Sequence, residues 1–162
     1  MTALLTEDAA EFRDALPDGG VLIGLDLGTR TIGVATCDAG WAFATAGKTL
    51  PKGKFARDRA ALAEIATARG AKGVVIGLPL NMDGSSGPRA QASRAFARNL
   101  LPADTGLGLP VLLWDERWST TAAERDMIAA DTSRRKRAER IDSHAAAIIL
   151  QGAIDRLAGG LF

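Results

Sequence analysis

The residues best suited to chemistry are three carboxylates from separate parts of the chain, Asp26, Glu116 and Asp142. Asp26 lies in an apolar run of strand length, where alternation places it on the same face as Gly24 and Gly28. A carboxylate in such a strand loses hydration, which a metal ion, an arginine or hydrogen bonds must replace. One interpretation is a metal or phosphate site at the end of the strand. The other is that Asp26 only holds the turn at 28–30.

The other two acids lie where a sheet and a helix would present them. Glu116 follows the apolar run Val111–Trp114, and sites in open α/β sheets gather at the carboxyl ends of strands. Asp142 opens the last predicted helix and shares a face with Ala145, Ala146 and Ile149 by helical spacing. If the first and last of these strands are neighbours, we expect the carboxylates to converge.

Three converging carboxylates would suit Mg²⁺ or Mn²⁺, which are hard cations that prefer oxygen ligands. With two such ions about 4 Å apart, one activates a water nucleophile and the other stabilises the leaving oxygen in phosphodiester cleavage. The sequence therefore favours metal-dependent hydrolysis over covalent catalysis.

The elements that must position these acids follow the order β-β-β-α-β-α-β-α-α. We predict an antiparallel meander of three strands, then parallel strands alternating with helices, which gives an α/β fold with a mixed five-stranded sheet. The third strand is predicted at 41–45, the helices at 55–69 and 88–101, a further helix near Ser119 and the last helix at about 141–157. Residues 1–20 are expected to form a short helix or a loose leader, and 21–162 a single domain.

Composition limits the function classes. Apolar residues make up 47% and charged residues 24% of 162 residues, with net charge +1 and one cysteine. One cysteine excludes an internal disulfide framework and a multi-cysteine zinc site. There is no apolar run of about 20 residues and no secretory signal pattern, so we expect a cytoplasmic protein without a membrane partner.

Several basic and aromatic residues are candidates for nucleic-acid binding. Five cations fall within 134–140, and four of them, Arg134, Arg135, Lys136 and Arg137, are consecutive. This cluster either clamps a phosphate backbone or is solvated surface. Arg30 and Arg117 each either bind a phosphate or pair with a carboxylate, and Trp118 is either rim or a stacking surface for a base. The loop 81–87 is either a substrate flap or an ordinary connection, and His144 is expected to point away from Asp142.

Four segments resemble the YqgF family of bacterial nucleases, which is related to the Holliday junction resolvases and has a ribonuclease H-like fold. They are Gly24–Ala35 (GLDLGTRTIGVA), Val75–Gly84 (VIGLPLNMDG), Asp115–Thr120 (DERWST) and Ile141–Ala147 (IDSHAAA) with Ile149–Gln151 (ILQ). The resemblance implies that Asp26, Glu116 and Asp142 are catalytic metal ligands. It also implies processing of the 5′ end of pre-16S ribosomal RNA, or cleavage of four-way DNA junctions, by a cytoplasmic monomer or homodimer.

One position departs from the wider superfamily, in which many nucleases carry a fourth acid one helical turn after the last Asp. Here that position is Ala145, so a second ion would be held weakly or only with substrate phosphate. Asp38 and Asp83 are alternatives as outer ligands, although both lie in turn-rich sequence and are expected to be turn residues.

Two other classes compete with a nuclease. The Asp-Leu-Gly-Thr pattern also occurs in the phosphate loop of actin, Hsp70 and sugar-kinase ATPases, but those proteins close two such domains on a nucleotide. The third class is a non-catalytic nucleic-acid-binding domain, against which the presence of all three acids argues.

Overall fold

The computed structural model describes residues 3–118 and 134–159, and within the last helix it describes side chains from Ser143 onward. The strands are β1 (Leu5–Thr6), β2 (Leu22–Leu27), β3 (Thr31–Cys37), β4 (Ala44–Pro51), β5 (Gly73–Leu78) and β6 (Val111–Asp115). The helices are α1 (Ala9–Ala15), α2 (Phe55–Arg69), α3 (Pro88–Leu100) and α4 (Arg134–Gly159), and a short 3₁₀ turn spans Glu116–Trp118.

The strands form one mixed sheet in the order β1-β6-β5-β2-β3-β4. β2, β3 and β4 pair antiparallel, whereas β5 pairs parallel with both β2 and β6. The parallel strands β5 and β2 are buried along their whole length, because helices cover both faces of the sheet.

Strand alternation divides the core between the two faces. Ile23, Leu25 and Ile76 point to the face covered by α2 and α3. Leu22, Val75 and their neighbours point to the opposite face, where α1 and α4 pack. Asp26 and Gly24 belong to this second face, so Asp26 faces the helix that carries Asp142.

Several predicted elements are confirmed. The predicted helix at 55–69 ends as expected at Gly70, whose φ of 62° is the left-handed conformation that terminates helices. The helix beginning with proline at residue 88 also forms as predicted, and the apolar run 73–78 is one of the predicted parallel strands. The helix predicted near Ser119 lies outside the described residues.

The sheet has six strands, so the prediction of five is wrong. The sixth is β1, in which Leu5 and Thr6 pair parallel with Val111 and Leu112. A strand of two residues is too short to show alternation, which is why the sequence pattern did not reveal it.

The predicted third strand is also misplaced, because β4 begins at Ala44 rather than at Trp41. Residues 38–43 form a turn in which the Asp38 carboxylate accepts hydrogen bonds from the backbone N–H groups of Gly40, Ala42 and Phe43. Trp41 has a positive φ of 60°, a turn conformation that a strand cannot contain.

The last helix starts about two turns earlier than predicted, at Arg134. The cationic cluster 134–137 therefore lies at the beginning of α4 and not in a loop before it. Among the described helices, none combines the length and apolar character needed to cross a membrane.

Candidate active site

Asp26 lies near the carboxyl end of β2, the first strand of the predicted meander, and is only 2% exposed. Its neighbour on the same face, Gly24, lies directly beneath α4. A β-carbon at Gly24 would come within 2.7 Å of the Leu150 Cβ and 3.1 Å of the Ala146 carbonyl oxygen. The glycine thus allows α4 to approach the strand closely and to bury the Asp26 carboxylate.

Glu116 reaches the same face from the other side of β5. It follows β6 in the 3₁₀ turn, and its side chain lies over Gly77. A β-carbon at Gly77 would lie 2.6 Å from the Glu116 Oε1 and 2.6 Å from the Ile149 Cδ1. The carboxylate therefore occupies space that exists only because residue 77 has no side chain.

The strand register brings the two carboxylates to the same level. Leu25 is paired with Ile76, so Asp26 is one residue further along and level with Gly77. Adjacent strands lie about 4.8 Å apart, which places Asp26 beside the glycine that Glu116 covers. The condition that β2 and β6 be neighbours is not met, because β5 lies between them. Both acids nevertheless lie at the level of Gly77, the residue of β5 between them.

Asp142 belongs to α4, one helical turn before Ala145 and Ala146, both of which are fully buried against the sheet. Its backbone position is thus on the face of α4 that covers β2, as helical spacing predicted. Its side chain lies outside the described residues. Among the side chains that are described, no group of three His, Cys, Asp or Glu residues is arranged to hold a metal ion.

Arg117 is held by a carboxylate, one of the two roles considered for it. Its guanidinium donates to the Asp115 carboxylate, with the shortest nitrogen–oxygen distance 2.6 Å. Burial acts to raise the pKa of Asp115, but hydrogen bonds from Arg117 and from the Trp118 side chain hold that pKa below its usual value. Arg117 also donates to the Met82 carbonyl oxygen at 3.2 Å, which ties the loop 81–87 to the end of β6.

The loop 81–87 folds back on itself. The Asp83 carboxylate accepts hydrogen bonds from the backbone N–H and hydroxyl of Ser85, which lower its pKa. Asp83 is therefore a turn residue, as expected, and Asp38 is another, because the Phe43 N–H and other turn amides lower its pKa. Neither carboxylate is oriented by its bonding to serve as an outer metal ligand.

Three cations surround the end of β2. Arg30 is exposed in the turn between β2 and β3. The Lys52 Nζ donates to the Gly28 carbonyl oxygen at 3.1 Å, and Arg89 donates to the Leu27 carbonyl oxygen at 3.5 Å. Sequence reasoning found only Arg30, because Lys52 and Arg89 are brought to the end of β2 by folding and no local spacing marks them.

The remaining candidates are only partly placed. The side chains of Arg134, Arg135, Lys136 and Arg137 lie outside the described residues. His144 is half-buried on α4 and does not share the face of Ala145 and Ala146.

The residues present fit a divalent metal ion. The donors are carboxylate oxygens, which Mg²⁺ and Mn²⁺ prefer. Asp26 is almost completely buried, at the level of the space over Gly77 that the Glu116 carboxylate occupies. A buried carboxylate next to a second carboxylate carries a repulsion that a cation would relieve. The nearby Arg30, Lys52 and Arg89 would suit the phosphates of a polyanion.

Comparisons with known proteins agree with this fold. The sequence profile of the family described as RuvX: Holliday junction resolvase matches residues 20–156. A relative from Novosphingobium aromaticivorans is 65% identical over 98% of this chain and 100% of its own length. A relative from Sphingopyxis alaskensis is 62% identical over 95% and 99%. Both bear the provisional name pre-16S rRNA nuclease.

Among solved structures, Thermus thermophilus RuvC in complex with a Holliday junction substrate has a TM-score of 0.52 to this chain. The match covers 86% of this chain and 96% of that one at 15% sequence identity. The structure of T. thermophilus RuvC alone gives a TM-score of 0.50 with the same coverage. This likeness confirms the ribonuclease H-like fold.

Proposed function

Because the chain belongs to the RuvX family of Holliday junction resolvases, we propose that it is a nuclease that hydrolyses phosphodiester bonds with the help of a divalent metal ion. The observation that carries the proposal is that Asp26 and the Glu116 carboxylate both lie at the level of Gly77 on one face of the sheet. Carboxylates brought close together in a partly buried position are typical of sites that bind a cation or perform catalysis.

The chain's own residues would have distinct roles. Asp26, Glu116 and Asp142 would hold Mg²⁺ or Mn²⁺, one or two ions, which when bound supply the charge for water activation and leaving-group stabilisation. Arg30, Lys52 and Arg89 would bind the phosphates on either side of the scissile bond. Close packing of α4 over Gly24 excludes water from the buried side of Asp26, which strengthens its interaction with a cation.

The substrate that we favour is the 5′ end of precursor 16S ribosomal RNA, since relatives 65% and 62% identical carry that activity in their names. A four-way DNA junction is the second candidate, and the family description supports it. We expect the protein to act in the cytoplasm as a monomer or homodimer. Contacts to phosphates by arginine and lysine do not distinguish these substrates.

The decisive experiment compares cleavage of a precursor 16S leader fragment and a synthetic four-way junction, with Mg²⁺ and with Mn²⁺. Glu116→Gln keeps the shape of the side chain but removes its charge, and we expect cleavage to fall by roughly a hundredfold or more. Glu64→Gln is the matched control, because Glu64 is exposed on α2. If Glu116→Gln cleaves both substrates at the wild-type rate, the proposed role of Glu116 is wrong.

Metal titration separates the nuclease from the two competing classes. Saturable Mn²⁺ binding that is lost in folded Asp26→Asn supports the nuclease. Nucleic-acid binding without metal binding or cleavage would identify a non-catalytic domain, and saturable ATP binding would identify a phosphate-loop ATPase.

A further inference from the structure

A groove lies beside the candidate active site, at the open edge of the sheet. β1 ends at Thr6 opposite Leu112, so within the described chain no strand pairs with the outer edge of β6 at residues 113–115. The start of α1, the end of β6 and Trp118 enclose about 770 Å³ there. That volume falls in the range of about 300–1,000 Å³ typical of small-ligand sites.

Trp118 offers this groove an aromatic face. Its side chain is 75% exposed, although an indole of that size is normally buried at least in part. Its indole also lies beside the Asp115 carboxyl group. One edge of the ring is therefore near that carboxyl group, while most of the ring surface remains open to a ligand.

The charges in the groove favour an anion. Glu7 is paired with Arg94 at 3.0 Å, and Asp115 is paired with Arg117. Arg13 and Arg156 also line the groove, and neither forms an ion pair with any residue that the structure describes. A third acid of the groove, Asp8, accepts a hydrogen bond from the Ala10 N–H at the start of α1 and is not in an ion pair with any described residue. With Glu7 and Asp115 neutralised by arginines outside the groove, Asp8, Arg13 and Arg156 together leave it a net positive charge.

The groove lies next to Glu116 in the fold. Trp114, which lines it, is paired with Gly77, the residue that Glu116 covers. Asp115 and Trp118 lie on either side of Glu116 in the chain. A nucleic-acid strand that is cleaved beside the Glu116 carboxylate could therefore continue over the edge of β6 into the groove.

We propose that this groove is a nucleotide subsite, in which one unpaired base next to the cleavage point stacks on Trp118 while its phosphates bind Arg13 and Arg156. Every base has a face that can stack, so the subsite selects single-stranded character and not sequence. This inference rests on the proposed nuclease function and adds to it a preference for an unpaired segment beside the cut.

The test measures binding of a fluorescein-labelled single-stranded leader RNA in EDTA, so that no cleavage occurs. We expect Trp118→Ala to weaken binding by about 5- to 150-fold, the range for loss of one stacked base, and Trp118→Phe to retain most of the affinity. Phe43→Ala is the matched control, because Phe43 is 76% exposed in the turn before β4. We expect that control to bind like the wild type.

A scan of single abasic sites along the RNA then tests the stacking itself. One abasic position should weaken binding to the wild type but leave binding to Trp118→Ala unchanged, because the partner ring is already absent. The slope of the logarithm of the binding constant against the logarithm of the salt concentration, the salt slope, should fall in magnitude by about 0.7 in Arg13→Ala and in Arg156→Ala. Arg69→Ala, on an exposed residue of α2, should leave it unchanged.

Two outcomes would overturn the inference: binding by Trp118→Ala within twofold of the wild type, or abasic sites that weaken both proteins equally. Cleavage by Glu116→Gln provides the separate test of the nuclease function. If Glu116→Gln is inactive and Trp118→Ala binds normally, the subsite is wrong and the proposed function stands.

Discussion

At the scale of single residues, the candidate site depends on a glycine, Gly77, whose lack of a side chain leaves space for the Glu116 carboxylate. Glu116 and Asp26 come from strands that are not neighbours, and the Glu116 carboxylate reaches the level of Asp26 only because Gly77 leaves the position between them open. Sequence reasoning identified both acids, since each lies at or near the end of an apolar run. It did not identify Gly77, because a glycine within a strand carries no signal of what lies above it.

Gly77→Ala should therefore impair activity more than stability. The new β-carbon would meet the Glu116 Oε1 and the Ile149 Cδ1 at 2.6 Å, and both atoms are ends of flexible side chains that can move aside. We expect overpacking to cost about 1–3 kcal/mol in the free energy of unfolding, while the displaced carboxylate lowers cleavage about tenfold or more. Urea unfolding, Mn²⁺ affinity and cleavage rate measure the two effects separately.

Gly70→Ala is the control for this substitution. A β-carbon at Gly70 would touch nothing within 4 Å, but the φ of 62° is strained for alanine. The expected cost is about 1 kcal/mol in stability, with cleavage unchanged. If Gly77→Ala cleaves as well as Gly70→Ala, Glu116 does not need the space over residue 77.

At the scale of elements, strong local patterns predicted structure and weak ones did not. The helix 55–69 and the strand 73–78 carry their boundaries in the sequence, with a glycine after the helix and an uninterrupted apolar run for the strand. The third strand was predicted too early because Asp38 stabilises a turn by accepting hydrogen bonds from backbone N–H groups. Alternation of residue type cannot reveal that role. The start of α4 was missed because its first turn is entirely cationic.

That first turn of α4 gives a prediction about nucleic-acid binding. Cations at a helix N-terminus oppose the helix dipole, so the cluster 134–137 does not stabilise the helix start. Each position on a helix is about 100° around the axis from the one before it. Only about two of the four positions can therefore face one phosphate backbone. Replacing Arg134, Arg135, Lys136 and Arg137 by Ala should weaken binding and reduce the salt slope by about 2.

The thermal midpoint should not fall in this quadruple variant, because Ala propagates helix well and removes the unfavourable charge. Binding at several salt concentrations and a thermal melt together measure the effect. An unchanged slope would mean that the cluster is solvated surface with no part in binding.

At the scale of the whole molecule, the first residues belong to the same core as the candidate site. Phe12 of α1 is fully buried among residues of β5, β6 and α4. Its Cζ lies 2.9 Å from where a β-carbon at Gly73 would stand. The segment expected to form a leader thus supplies both an edge strand and a large core side chain.

Phe12→Ala should consequently destabilise the protein by about 3–5 kcal/mol, the usual cost of removing a buried phenyl ring and leaving a cavity. Phe43→Ala makes the same chemical change at an exposed position, and it should alter the free energy of unfolding by less than about 0.5 kcal/mol. Urea unfolding of both variants measures the difference. Since Phe12 packs in the cluster that includes Ile154 and Leu157 of α4, we expect one cooperative transition in Phe12→Ala, shifted to lower urea. A separate early transition would show instead that α1 unfolds independently of the sheet and of the helix that carries Asp142.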